Sequence, residues 1–346
     1  MTITNTDQLE VPVRSIGFSS YELSPRAALG RLSADKPRQG AVLKVQFEDD
    51  IVGYADCHPW PELGDLPLSD QLECLKSLTS SKATSLGNRS LEFARMDGEA
   101  RARGRSLWEG LQIPASHALL NNAQQLTAAD LELKAQQGFK HLKIKMGIHP
   151  RQEANALLAL APVFKELSFK LRLDFNAGLS PIQFEEFLEN LGEVREFIDY
   201  IEDPTVYDPR VWAQAQRRWG IRLALDRLSD ETISILAPHS FSVLVFKPAI
   251  QKADTIFQLA EKFRASIVVT SYLDHPVGQL CAARVAAQAS IRPEIVVETC
   301  GLLSHMAYES HPFSEEMKTS GPFLLGPQGT GFGMDAALSE LKWEQL

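Results

Sequence analysis

From residue 111 onward, short apolar runs alternate with amphipathic stretches of helical character through most of the chain. Eight runs are strand candidates, at residues 117–121, 141–146, 169–175, 198–202, 222–226, 242–247, 266–271 and 294–299. Helical stretches between them include residues 150–164, 180–191, 253–263 and 276–289. Eight strand–helix units in succession predict a (β/α)8-type barrel of the α/β class. A doubly wound sheet is the alternative, but no glycine-rich phosphate loop follows any of these runs.

The first 110 residues have a different pattern. Strand-like runs at 11–23, 41–47 and 51–57 precede helical stretches at 69–79 and 90–109, which predicts a small α+β unit. Residues 24–39 are rich in Ser, Pro, Arg and Gly, a composition typical of a surface loop. The sequence therefore predicts an N-terminal α+β domain at residues 1–110 and a barrel domain, with a C-terminal tail, at residues 111–346.

Charge and cysteine content limit the partners and the compartment. The chain has 35 Lys and Arg against 44 Asp and Glu, a net charge of −9, which disfavours binding to nucleic acid or to an anionic membrane. No apolar run approaches the roughly 20 residues that span a bilayer, and no secretory signal is predicted at the N-terminus. The four cysteines form no metal-binding or disulfide pattern, which favours free thiols in the cytoplasm. The sequence indicates no particular oligomeric state.

Ionisable residues stand where five successive barrel strands are predicted to end. They are Lys143 and Lys145, Asp174, Glu202, Asp226 and Lys247, and successive strand ends lie about one βα unit (about 20 to 30 residues) apart. The carboxyl ends of the strands in such a barrel meet at one rim, where active sites are built. We therefore expect these side chains to share one site.

The types of residue at this rim indicate metal-assisted acid–base chemistry. Three carboxylates from adjacent strands would repel one another without a cation, and hard oxygen ligands suit Mg²⁺. Lys143 and Lys145 point to one face of their strand, so each raises the cost of the other's charge, which is expected to lower the pKa of at least one of them and favour a base near neutral pH. Singly, each residue could be a turn, a helix cap or a solvated charge. Charged residues at the ends of five successive apolar runs favour a functional site, because they would otherwise be buried at a cost.

These motifs resemble the enolase superfamily, in the branch of muconate-cycloisomerase-like enzymes. The matching segments are Ala94-Arg-Met-Asp-Gly-Glu-Ala, Lys143-x-Lys145, Asp174-x-Asn176, Glu202-Asp-Pro, Ala224-Leu-Asp226 and Lys247-Pro. The resemblance implies a modified TIM barrel in which the N-terminal domain caps the mouth and its 24–39 loop excludes water. One departure is Arg227, which stands where this family often has Glu.

The resemblance also implies roles for individual residues. Lys145 is expected to be the catalytic base, Lys143 to tune it, and Lys247 to lie on the opposite face of the substrate. Asp174, Glu202 and Asp226 are the expected ligands of Mg²⁺, with Mn²⁺ as an alternative. The expected substrate-binding residues are Arg172, Asn176, Ser271, Thr299 and Gly301. Arg172 has a second interpretation, because an arginine inside a barrel can simply pair with a carboxylate.

The implied activity is that of a lyase. Within the branch, the sequence is most similar to the dehydratases of menaquinone biosynthesis, which remove a proton next to a carboxylate and expel a β-hydroxyl group through an enediolate. A racemase of N-acylamino acids and a muconate-type cycloisomerase are the alternatives on the same scaffold. A barrel that only binds a small anion is a third interpretation. Dipeptide epimerases are disfavoured because residues 298–301 lack an Asp-x-Asp pair. In each case the expected partner is a small-molecule carboxylate.

Overall fold

The computed structural model describes residues 12–27, 29, 36–77 and 84–346. The N-terminal part contains an antiparallel sheet and two helices. The strands are β1 (Val13–Leu23), β2 (Arg38–Phe47) and β3 (Val52–Cys57), and the helices are α1 (Leu68–Lys76) and α2 (Ser85–Ala102). Helix α2 begins and ends earlier than residues 90–109 because Thr84 caps its N-terminus and Gly104 follows it in a left-handed conformation.

Helix α2 packs directly on β3 because the two backbones meet at glycines. A Cβ placed on Gly53 of β3 would lie 1.8 Å from the carbonyl oxygen of Ala94, and one on Gly98 would lie 2.9 Å from that of Val52. No side chain fits at either position, so this contact requires glycine on both elements.

The barrel contains seven parallel strands whose order in the sheet follows their order in the chain. They are β4 (Ala118–Leu120), β5 (His141–Lys145), β6 (Lys170–Asp174), β7 (Ile198–Glu202), β8 (Leu223–Leu225), β9 (Val243–Phe246) and β10 (Ser266–Val269). The side chains of β8 and β9 are buried on both faces, as expected for strands enclosed by helices.

Residues 297–301 take the place of the eighth strand and close the barrel. Val297 and Gly301 form parallel bridges to Ile267 and Thr270 on one side, and Cys300 bridges to Ser116 on the other. The predicted strand at 294–299 is irregular at its start because a turn at Arg292 hydrogen-bonds to Ile295. The predicted barrel with an N-terminal α+β domain is confirmed.

Helices surround the strands and then lead into a short tail. Around the barrel lie α3 (Ala128–Gln136), α4 (Pro150–Ala159), α5 (Ala161–Leu167), α6 (Pro181–Asn190), α7 (Pro209–Trp219), α8 (Asp230–Ser234), α9 (Ala253–Phe263) and α10 (Pro276–Ser290). The helix expected at 150–164 is two helices, because Pro162 cannot donate a hydrogen bond to the preceding turn. No helix in the described ranges is long and apolar enough to cross a membrane.

The tail returns to the N-terminal sheet. It contains α11 (Pro312–Glu316), β11 (Thr319–Ser320), β12 (Phe323–Leu324), α12 (Asp335–Ser339) and β13 (Glu344–Gln345). Strand β13 pairs antiparallel with β1 and becomes the outer strand of the sheet. The buried carboxylate of Asp97 on α2 accepts hydrogen bonds from the backbone of Phe332 at 2.7 Å and Tyr54 at 2.9 Å, and it pairs with Arg101. One carboxylate thus joins the sheet, the helix and the tail.

The N-terminal domain contacts the mouth of the barrel through an aromatic cluster. Leu29 and Trp60 pack with Tyr272 and Tyr308 of the barrel domain, and the indole of Trp60 donates a hydrogen bond to the carbonyl of Tyr272 at 2.8 Å. Arg26 donates from its backbone to Ala307. Of the loop expected to cover the mouth, residues 28 and 30–35 lie outside the described part of the chain.

Candidate active site

Three carboxylates lie at the carboxyl ends of three adjacent strands. Asp174 ends β6, Glu202 ends β7 and Asp226 directly follows β8. Asp174 pairs with Glu202 in the strand register. All three side chains are buried, so their charges must be compensated by cations nearby.

Three lysines supply that compensation in the structure. Lys145 Nζ lies 2.6 Å from Asp174, and Lys143 Nζ lies 3.0 Å from Asp174 and 2.7 Å from Glu202. Lys247, which follows β9, lies 2.6 Å from Asp226. The structure therefore brings all six residues expected at the rim into one cluster, with Lys145 and Lys247 at its two ends.

The local charges perturb the carboxylates in opposite directions. Burial disfavours the charged form of Asp174, but Lys143 and Lys145 outweigh it and lower the pKa of that carboxyl well below its ordinary value. Burial and the neighbouring Asp174 raise the pKa of Glu202 to about 7. Burial and the charges of Asp226 and Glu202 raise the pKa of Asp203 well above its ordinary value. At Asp174 the lysines therefore dominate, whereas at Glu202 and Asp203 burial and the neighbouring carboxylates dominate.

The lowered pKa predicted for at least one of the two lysines does not occur at Lys143. Burial favours the neutral amine, but the carboxylates of Asp174 and Glu202 outweigh it and hold the pKa of Lys143 well above its ordinary value. The carboxylates on the neighbouring strands dominate because they lie within 3.0 Å of the ammonium group.

The cluster lies at the bottom of a cavity of about 870 Å³ between the barrel and the N-terminal domain. Of the eleven residues predicted for the site, nine line this cavity: Lys143, Lys145, Asp174, Asn176, Glu202, Asp226, Lys247, Ser271 and Gly301. Trp60 and Tyr272 form part of the wall, and Tyr272 is held by a 3.0 Å hydrogen bond to Asp65. A cavity of this volume can enclose a small organic acid.

Arg172 and Thr299 are the two predicted residues that do not line the cavity. The Arg172 side chain is fully buried and donates from Nε to Asp199 at 2.8 Å, and its guanidinium also donates to the carbonyl of Thr299. Glu298 lies 3.6 Å away. The structure thus places Arg172 in an ion-pair network behind the cavity wall, as its second interpretation predicts.

Asp203 is a site residue that the sequence reasoning took only as part of a turn. Its carboxylate is buried and accepts hydrogen bonds from the backbone of Asp226 at 3.1 Å and Arg227 at 3.2 Å. It adopts φ of +39°, in the left-handed region. These bonds fix the backbone from which the Asp226 side chain projects. The motif Glu202-Asp-Pro contained the signal, because an acidic residue next to a buried strand end needs donors.

Arg227, the departure from the family pattern, lines the cavity and is half exposed. Its Nε lies 3.8 Å from Asp203. It therefore places a further positive charge beside the carboxylate cluster at the edge of the mouth.

The positions and partners of the carboxylate oxygens indicate whether they could hold a metal ion. Within the described ranges, no three His, Cys, Asp or Glu side chains already converge closely enough to hold one. Lysine ammonium groups contact these carboxylates instead. Oδ1 of Asp226 is nevertheless buried without a hydrogen-bond partner in the described structure. The donors are hard carboxylate oxygens from three adjacent strands, which are the kind of ligand that suits a divalent cation.

Comparison with known proteins defines the family. Residues 126–339, more than half of the chain, match the family model described as enolase C-terminal domain-like. The chain therefore belongs to the enolase superfamily, as its motifs predict. Residues 16–100 match a second model, the N-terminal domain of o-succinylbenzoate synthase.

Individual relatives agree with both models. The o-succinylbenzoate synthase of Bdellovibrio bacteriovorus is 35% identical over 333 residues, which are 96% of this chain and 98% of the relative. The solved N-succinyl Arg/Lys racemase of Bacillus cereus superposes with a TM-score of 0.79 at 15% identity, covering 97% of this chain and 100% of that one. A dipeptide epimerase of Enterococcus faecalis, solved with Mg and a dipeptide, has a TM-score of 0.75 at 16% identity and covers 93% and 99%. These two structures support the fold.

Proposed function

We propose that this chain is an o-succinylbenzoate synthase. It would dehydrate 2-succinyl-6-hydroxy-2,4-cyclohexadiene-1-carboxylate to o-succinylbenzoate, as a lyase of menaquinone biosynthesis in the cytoplasm. The observation that carries the proposal is the pair Lys145 and Lys247 at the two ends of a buried carboxylate cluster. The relative that is 35% identical over nearly its whole length supports the choice of substrate. The four free cysteines are consistent with a reducing compartment.

Asp174, Glu202 and Asp226 would hold Mg²⁺, or Mn²⁺ in its place. Their oxygens are the ligands that these ions prefer, and Asp226 has an oxygen with no other partner in the described structure. A bound divalent cation would stabilise negative charge on a substrate carboxylate. Binding would also relieve the repulsion that raises the pKa of Glu202.

The chain's own lysines carry the proton chemistry. Nζ of Lys145 removes the proton from the carbon next to the carboxylate, and the electron pair of that C–H bond passes into an enediolate. The ammonium of Lys247, on the other side, stabilises the negative charge. The β C–O bond then breaks, the ring becomes aromatic, and the departing hydroxide takes the proton that Lys145 removed, so that water leaves and the amine of Lys145 is regenerated. The cavity walls limit the access of solvent to the enediolate.

Lys143 has a positioning role in this proposal. Its charge stays fixed because its pKa is raised, and it bridges Asp174 and Glu202. It thereby favours the ionised form of both carboxylates and holds them in place. Lys145 contacts only Asp174 among the three cluster carboxylates and remains available to the substrate.

A dehydration assay with the cyclohexadiene substrate tests the proposal. We expect turnover that requires Mg²⁺, stops with a chelator, and falls at least about 100-fold in Lys145→Ala, because a positioned base contributes about 10² to 10⁴. Lys140→Ala is the matched control, since Lys140 is exposed just before the other end of β5. Turnover that survives both the chelator and Lys145→Ala would contradict the mechanism.

A racemase of N-acylamino acids or a muconate-type cycloisomerase is the second candidate. The observation that favours it is the same placement of Lys145 and Lys247 at opposite ends of the site, which suits proton removal on one face and delivery on the other. Wild-type protein that does not dehydrate the cyclohexadiene acid, but exchanges the α-proton of N-acylamino acids in D₂O, would support this alternative.

A further inference from the structure

His117 directly precedes β4 and lines the cavity, yet the family motifs do not include it. Its side chain is more than nine-tenths buried. Its backbone N–H bonds to the carbonyl of Cys300, so the ring stands where the first strand meets the closing segment of the barrel. A buried imidazole requires hydrogen-bond partners for both ring nitrogens.

Arg172 determines which nitrogen of His117 carries the hydrogen. Nη1 of Arg172 lies 3.1 Å from Nδ1 of His117, and a guanidinium can only donate. Nδ1 is therefore the acceptor, and the neutral ring has its hydrogen on Nε2. Burial and the charge of Arg172 agree with a neutral ring, since both lower the pKa of His117 well below its ordinary value. The guanidinium also polarises the ring and strengthens Nε2–H as a donor.

Because Gly301 has no side chain, nothing at that position blocks the Nε2–H edge of the His117 ring. A Cβ at Gly301 would lie 2.9 Å from both Cε1 and Nε2 of His117, and also 2.9 Å from Cγ2 of Thr270. Both Gly301 and Thr270 line the cavity. Oγ1 of Thr270 is buried and has no hydrogen-bond partner in the described structure. The imidazole of His117 and the side chain of Thr270 thus both border Gly301 in the cavity wall, and the absence of a side chain at Gly301 leaves the edge of the imidazole uncovered.

The position of this gap relative to the carboxylate cluster indicates which part of a ligand reaches it. The cluster carboxylates come from β6 and β7 and from the residue after β8, the third to fifth strands of the barrel. His117 directly precedes the first strand and Gly301 belongs to the closing segment, so in the order of the barrel they lie across from β7 and β8. A substrate with its reacting carboxylate at the cluster would reach His117 with its other end if it spans the cavity.

We propose that His117, oriented by Arg172, binds a second carboxylate at the far end of the substrate. This inference rests on the proposed function, in which the succinyl arm supplies that carboxylate. The neutral Nε2–H of His117 can donate a hydrogen bond to an anion, and the buried guanidinium of Arg172 behind the ring adds a favourable positive potential. No second charged group has to be placed in the cavity wall and paired. This arrangement selects for dicarboxylates, while the lysines perform the reaction.

Binding and kinetics of His117→Phe test the inference. We expect the KM for the cyclohexadiene acid and the Kd for o-succinylbenzoate to rise about 10- to 100-fold, the effect of one hydrogen bond to a charged group. The Kd of benzoate, which has no arm, should not change, and 2-acetylbenzoate should behave like benzoate. His117→Gln, which keeps a donor, should recover part of the loss. The matched control is His141→Phe, because His141 is near the same network but does not line the cavity.

The outcomes separate this inference from the proposed function. Equal weakening of o-succinylbenzoate and benzoate, or no weakening of either, overturns the role of His117 while wild-type turnover leaves the synthase assignment intact. Absence of wild-type turnover overturns both. Nitrogen-15 spectra of wild-type enzyme give a test without substitution. We expect the Nε2–H form of His117 and a shift of that nitrogen with o-succinylbenzoate but not with benzoate, and the Nδ1–H form would overturn the inference.

Discussion

The ion-pair network behind the cavity makes Arg172→Met a sensitive test of the structure. Arg172 is fully buried and contacts Asp199, Glu298 and His117. Methionine would fill much of the space, but the donors to Asp199 and His117 would be lost. Removing one partner of a buried ion pair costs about 3 to 5 kcal/mol of unfolding free energy. Asp199 and Glu298 remain paired with Arg222, which favours the lower end of that range.

The corresponding change in melting temperature follows from chain length. An unfolding entropy of about 2.1 cal/mol/K per residue gives about 0.7 kcal/mol/K for this chain, so the loss corresponds to a decrease in Tm of about 4 to 7 °C. Thermal unfolding followed by circular dichroism measures it. Arg151→Met is the matched control, because Arg151 is exposed and pairs with Glu186 on the surface, where such pairs contribute about 0 to 1 kcal/mol. Equal Tm values for the two variants would refute the reasoning.

Two other substitutions test separate parts of the fold. Asp97→Ala removes the acceptor for two backbone N–H groups and leaves Arg101 without its buried partner, so we expect a loss of about 3 to 5 kcal/mol in urea unfolding, and a loss below about 1 kcal/mol would contradict the structure. Asp274 is buried with its pKa raised to about 7. The folded protein therefore binds a proton there that the unfolded chain releases, and this site lowers stability as pH rises from about 4 to 7. Asp274→Asn should flatten that part of the pH profile, and an unchanged profile would exclude Asp274 as its source.

The barrel and the carboxylate cluster could be predicted from sequence because both depend on local order. Short apolar runs ended by charged residues recur at a nearly constant spacing, and parallel strands bring their carboxyl ends to one rim. The spacing of Asp174, Glu202 and Asp226 is therefore enough to predict that they share one location. Their protonation and that of the lysines depend on neighbours from other strands, as the raised pKa of Lys143 demonstrates.

Features that depend on distant contacts were not predictable. His117 precedes an apolar strand like many core histidines, and only its contacts with Arg172 and Gly301 set it apart. Arg172 lies two residues before Asp174 and shares its face of the strand, which predicted contact with the substrate. In the structure its guanidinium instead pairs with Asp199 on the next strand. The return of the tail to the N-terminal sheet had no local signal, since a two-residue strand has too little pattern to detect.

That return has a consequence for how the protein assembles. Gly17 pairs with Gln345, so the barrel is in effect an insertion between two pieces of the same sheet. Contacts between residues this far apart in sequence are slow to form, because a long loop must close first. During synthesis, β13, which covers the outer edge of β1, is made only after every barrel strand. Incomplete chains therefore leave the outer edge of β1 open to pairing with other chains.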